Sequence, residues 1–143
     1  MAGSALKTGT IVSMRFVVAA PVAGVVHSLQ DKKNHPIDSK LSGDGADLIF
    51  DFGIRVAPGP RFLGEHVRSE GPERRFVYIC VGKSAGDPSS CWSRRMKIDI
   101  HDVPAALLEQ ALKGQTLVAS IPGTATDGTP SCATVRPRSW SVE

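Results

Sequence analysis

The sequence predicts a mainly-β domain, an antiparallel β-sandwich or small barrel of about seven short strands with one α-helix over roughly residues 102–113. Three observations carry this. Leu48–Val56 and Arg95–Ile100 alternate apolar and polar residues, and Arg75–Val81 is apolar on both faces. Only one stretch, Asp102–Leu112, has apolar residues at helical spacing. Strand follows strand until that helix, so the repeated crossovers of a doubly wound α/β fold are missing.

The elements follow in order. Residues 1–9 read as a loose polar tail, and 10–143 as a single globular domain with one core. Thr10–Ala20 is a first strand, stopped by Pro21, and Gly24–Gln30 is a second. It runs into the charged turn Asp31–Pro36. Along Leu48–Val56, the side chains of Leu48, Phe50, Phe52, Ile54 and Val56 fall on one face, with Asp51 and Arg55 on the other. Pro58–Pro72 is a long irregular stretch around Phe62 and His66, and a connection of that length is often functional.

Arg75–Val81 reads as a central strand, with Cys80 in its core. Arg95–Ile100 points Met96, Ile98 and Ile100 one way and Lys97 and Asp99 the other. The helix has Asp102 as N-cap, Pro104 in its first turn and Gly114 as its stop. Val103, Leu107, Leu108, Ala111 and Leu112 form its apolar stripe. Thr116–Ile121 is the next strand, and Cys132–Val142 supplies one or two more around Pro137.

Composition narrows the function. A net charge of +3 is too small for a dedicated nucleic-acid surface, even with Arg74, Arg75, Arg136 and Arg138 near Trp140. No nucleic-acid partner is expected. Phe16–Val26 carries no charge and follows Arg15, as the apolar part of a signal peptide does. Pro21 and Gly24 break it into strand, turn, strand, so secretion is the lesser reading, and no membrane partner is expected. Three cysteines do not make a disulfide scaffold. No CxxC, HxH or HExxH occurs, so neither metal nor cofactor is expected.

Two segments hold the densest chemistry: Ser90–Arg95, with Cys91, Trp92 and Arg94, and Gly123–Cys132, with Asp127. Arg94 shares the phase of Met96, Ile98 and Ile100. A guanidinium there must either bind an anion or form an ion pair with Asp51, Asp99 or Glu109. Arg95 lies on the solvated face. Trp92 either stacks on a ligand or closes the end of the sandwich. Asp127-Gly128 is first a tight turn, whose N–H groups can also help hold an anion.

Cys91 and Cys132 are open to three readings. They can form a disulfide, Cys91 can be a nucleophile with its pKa lowered by nearby arginines, or both can be small buried groups. His66 is the candidate base for a thiol reaction, though no spacing ties it to Cys91.

The motif order resembles an uncharacterised family of small bacterial proteins, a domain of unknown function. The resemblance rests on Gly24-Val25-Val26, Leu29-Gln30, Phe50-Asp51-Phe52, Phe62-Leu63-Gly64, Arg75-Phe76-Val77-Tyr78, Ser90-Cys91-Trp92, Arg94-Arg95, Gly123-Thr124, Asp127-Gly128 and Pro130–Val135, within roughly residues 14–142. It implies a cytoplasmic, independently folded domain and recurring Cys91, Trp92, Arg94, Arg95, Asp127 and Cys132, with no mechanism attached.

The leading expectation is a module binding a small anionic or planar molecule near Trp92 and Arg94, walled by Phe62 and Asp127. The alternatives are an enzyme working through Cys91, His66 or Asp127, and an interaction protein that pairs an edge strand in a homodimer or with a partner.

Overall fold

In the computed structural model, residues 10–19, 26–33, 35–43, 47–58, 67–69, 75–82, 94–122 and 135–143 are described. Alternation builds the first strand, β1 (Thr10–Ala19): Val12, Met14, Phe16 and Val18 are buried, while Ile11 and Ser13 face out. The strand β2 (Val26–Gln30) leads through a turn and residues 36–39 to β3 (Lys40–Gly43). Next come β4 (Asp47–Pro58), β5 (Val67–Ser69), β6 (Phe76–Gly82) and β7 (Arg94–Asp99). A short 3-10 turn, Ile100–Asp102, precedes α1 (Ala105–Leu112), and β8 (Leu117–Ile121) and β9 (Ser139–Val142) follow.

The strands form two sheets. The larger has the order β3-β4-β1-β8-β9, with β5 also paired to β4, and the smaller has the order β2-β6-β7. Every pair is antiparallel except β1 and β8. That parallel pair exists because the chain crosses over through α1 between β7 and β8.

The inner faces of both sheets share one core. Phe16, Phe50, Phe52 and Leu117 from the larger sheet meet Leu29, Val77, Ile79 and Ile98 from the smaller. Phe16 and Phe52 meet edge to face, with ring centroids 4.9 Å apart. The helix packs on β1, β8 and β9, adding Leu108 and Ala111 to the core.

The sandwich expectation holds, and the barrel alternative does not: two separate sheets face each other without closing. Among the described residues nine strands stand where about seven were expected, because β3 and β5 lie where the sequence shows no strand pattern. The helix start is also corrected. Asp102 ends the 3-10 turn, whose cap is Asp99, accepting a hydrogen bond from the His101 N–H. Pro104 precedes α1 and offers it no side-chain cap. Gly114 does stop the helix, at φ +109°.

Cys80 is fully buried, but on the face of β6 turned away from the larger sheet, where it packs with Tyr78 and Phe76. Among the described residues no helix is long and apolar enough to cross a membrane.

Candidate site at the edge of β4

Most of the sequence-derived site lies outside the described residues. Phe62, His66, Cys91, Trp92, Asp127 and Cys132 fall there, as does the side chain of Arg94. The Arg94 backbone is placed: it sits at the start of β7, opposite Val81, one position before Arg95 opposite Cys80. Two of the carboxylates offered as partners for Arg94 have arginines of their own. Asp51 pairs with Arg15 at 2.7 Å, and Asp99 pairs with Arg75 at 2.8 Å.

The described part of the molecule carries a different candidate. On the side of β4 away from β1, β3 pairs with residues 48–51 and β5 pairs with 56–58. Phe52, Gly53, Ile54 and Arg55 lie between, and among the described residues no strand or hydrogen bond covers that edge. An antiparallel strand turns alternate residues' N–H and C=O groups to opposite sides. Two of these four residues therefore aim their backbone groups into the notch.

A cavity of about 380 Å³ opens there. Phe52, Ile54, Val77 and Ile37 give it an apolar inner wall. Gly53, Arg55 and Ile11 line it from the outer face of the sheet, so the cavity wraps both sides of the strand edge. Pro36 and Asp38 complete the lip.

Local sequence explains this arrangement. The Asp31 carboxylate accepts hydrogen bonds from the N–H groups of Lys33 and His35, closing a tight turn. The Ile37 N–H then donates to the Leu29 carbonyl at 2.9 Å, holding 36–38 along the edge of β2 before the chain enters β3. Gly53 lets Ile11 pack close over the outer face of β4: a Cβ there would lie 2.8 Å from Ile11 Cγ2.

Electrostatics separates Arg55 from its neighbours. Arg15 faces Asp51 directly across β1 and β4 and also reaches Glu143 at 3.0 Å. Its pKa is held above the usual arginine value, chiefly by the hydrogen bond to Asp51. Arg55 faces Ile11 across the same ladder and is exposed. No carboxylate among the described residues pairs with it.

A second polar group sits at the end of β7. Asp99 accepts from Arg75 Nε and Nη2 and from the His101 backbone N–H. Burial pushes the Asp99 carboxyl up, but these hydrogen bonds outweigh it and the pKa is lowered. Arg75 and Lys97 also lie over the Phe76 ring, 5.0 and 4.9 Å from its centroid. Because its hydrogen bonds tie Arg75, Asp99 and the 3-10 turn together, this group reads as a structural clasp.

Sequence reasoning passed over Ile11, Ile37, Asp38, Gly53, Arg55 and Val77. One signal was present: a glycine inside an otherwise strong strand pattern marks a close approach or a break in pairing. The charged turn Asp31–Pro36 was readable as a turn, but nothing in it showed that it brings Ile37 and Asp38 to the cavity.

Comparison with known proteins adds the family alone. A model described as a family of unknown function (DUF5990) matches residues 12–143, nearly the span of the resemblance drawn from the motifs. No curated protein and no solved structure matches the chain.

Proposed function

We propose, for a chain that belongs to the DUF5990 family of unknown function, the role of a small-ligand-binding β-domain taking an anionic molecule with a planar or apolar body. The observation that carries this is the cavity of about 380 Å³ at the β4 edge, with its apolar wall and Arg55 on its rim. Ligand sites are commonly concave, mostly apolar and roughly 300–1,000 Å³, with a few polar groups that fix orientation. Arg55 supplies a positive charge without a partner of its own among the described residues, and the strand edge supplies backbone donors. The loop carrying Cys91, Trp92 and Arg94, with Asp127 and Phe62, remains the second place where such a ligand can be held.

Native mass spectrometry of the freshly purified protein, set against its denatured mass, tests the reading. Extra mass in the native state alone, lost in Arg55→Ala, is the expected result. Extra mass that survives Arg55→Ala but disappears in Arg94→Ala moves the site to the Trp92 loop. A bare native mass, with no thermal shift from benzoate or other aromatic carboxylates, counts against ligand binding.

A further inference from the structure

Resting on the reading of the β4 cavity as a ligand site, we infer that β2 and the turn after it form an acid-released gate to that site, with His27 as the trigger.

The lining of the cavity has two sources. Ile11 and residues 52–55 belong to the larger sheet. The rest of the lining is Pro36, Ile37 and Asp38, with Val77 of β6. Residues 36–38 hang on β2. The Ile37 N–H donates to the Leu29 carbonyl, and the Asp31 N–H donates to the His35 carbonyl, both at 2.9 Å. An antiparallel strand turns the backbone groups of alternate residues to opposite sides. Leu29 and Asp31 therefore hold the turn, while Ser28 and Gln30 face β6, opposite Cys80 and Tyr78. A shift of β2 away from β6 carries residues 36–38 with it and opens the cavity on that side.

His27 sits in this strand on the inner face. It shares the phase of the core residue Leu29 and stands opposite Val81 in the ladder. It is 6% exposed, and its Nε2 is buried with no hydrogen-bond partner among the described residues.

The surroundings do not favour a charge there. The inward sets of β1 and β4, from Val12 to Val18 and from Phe50 to Val56, are apolar. β6 turns Val77 and Ile79 inward, and β7 turns Met96 and Ile98 inward. Arg94 stands opposite Val81 in the same row as His27, and it has the same sign as a protonated imidazole. Asp31, four residues along, accepts the N–H groups of Lys33 and His35 with its carboxylate. His35 and Asp38 are exposed. Burial accordingly lowers the His27 pKa.

With a neutral imidazole, β2 stays seated. A proton on it puts a charge among apolar side chains, and an outward move of β2 lets water solvate that charge. The seated strand refuses protons that the released strand accepts. The gate is therefore firmest above the ordinary histidine pKa and loosens as pH falls below it.

The test is amide hydrogen exchange of the full chain, read by NMR from about pH 7.5 to 5 and corrected for intrinsic rates. Ser28 and Gln30 should exchange through an opening of their own, less protected than β1. Their protection should fall about tenfold per pH unit below about 6.5, and His27→Leu should remove that slope. Two results overturn the gate. One is protection at Ser28 and Gln30 equal to that of β1 at every pH, which makes His27 a contributor to global stability alone. The other is a slope that survives His27→Leu. The His27 imidazole resonance gives a check that needs no variant: titration at the ordinary value of about 6.5 also overturns it.

Saturating benzoate, held between the two sides of the cavity, should raise protection at Ser28 and Gln30. If benzoate binds without raising it, the binding-site reading stands and the gate falls. If the slope is present and benzoate does not bind, the binding-site reading falls and the acid-released strand stands. If neither is seen, both fall.

Discussion

Asp99 draws together Arg75, the His101 backbone and the start of the 3-10 turn, so one carboxylate clasps β6, β7 and the entry to the helix. Asp99→Asn should lower unfolding free energy by about 1–3 kcal/mol in urea titrations, since hydrogen bonds to a charged, largely buried group are lost together. His101 beside it gives a pH signature. Burial, opposed by attraction to Asp99 and reinforced by repulsion from Arg75, holds its pKa down to about 4. Burial lowers His27 in the same direction. As pH falls from about 6.5 toward 4, the unfolded chain takes up protons that the folded chain refuses. Stability should therefore decline across that window, by at most about 3 kcal/mol for His101 because the ring is partly exposed. Asp99 works in a lower range. Its depressed pKa contributes stability that is present above the ordinary carboxylate value and is lost as pH falls through the folded one. Thermal melts from pH 8 to 3 check this, and His101→Gln should flatten the upper part of the curve. Gln30 makes a contrasting case: it is 1% exposed, and neither atom of its carboxamide has a hydrogen-bond partner. Gln30→Met should raise the melting free energy by about 1 kcal/mol, unless the carboxamide serves a ligand.

Glycines report on the elements that hold them. Gly43 closes β3 at φ +146°, and a Cβ there would lie 2.3 Å from the Asp47 carbonyl oxygen, a backbone atom that cannot step aside. Gly114 ends α1 at φ +109° with nothing within 4 Å of a Cβ. Gly43→Ala should therefore destabilise by more than about 2 kcal/mol and Gly114→Ala by about 1 kcal/mol, compared by chemical denaturation. The same elements show what the sequence made legible. The inward sets Phe50–Val56 and Met96–Ile100 were readable because each repeats the two-residue period several times. β5 and β3, at three and four residues, hold too few repeats to stand out, and β3 is exposed at every position. Asp102 resembled a helix cap because residue type alone cannot tell an α-helical start from a 3-10 turn just before it. The proposed β4 site was least legible of all: it lies between the β4 residues paired with β3 and those paired with β5, a relation among three segments that no single window contains.

At the scale of the whole molecule, the two sheets share one core in which Phe16 is completely buried against Phe52. Phe16→Ala should cost about 3–5 kcal/mol and lower the urea midpoint, since a cavity at the junction of both layers cannot close by local repacking. Hydrogen exchange should find the strongest protection in β1, flanked by β4 and β8, and in β6, flanked by β2 and β7. Residues 52–55, whose far side no described strand covers, should exchange fastest within β4. The parallel pairing of β1 with β8 carries one more consequence, for the chain as it is made. β1 leaves the ribosome well before its second neighbour, Leu117–Ile121, and before the strand beyond that, Ser139–Val142. During translation, one flank of β1 stays open until Leu117–Ile121 has emerged. The larger sheet therefore cannot be completed before Ser139–Val142 follows, and a nascent chain stalled before Leu117 should present that flank to chaperones.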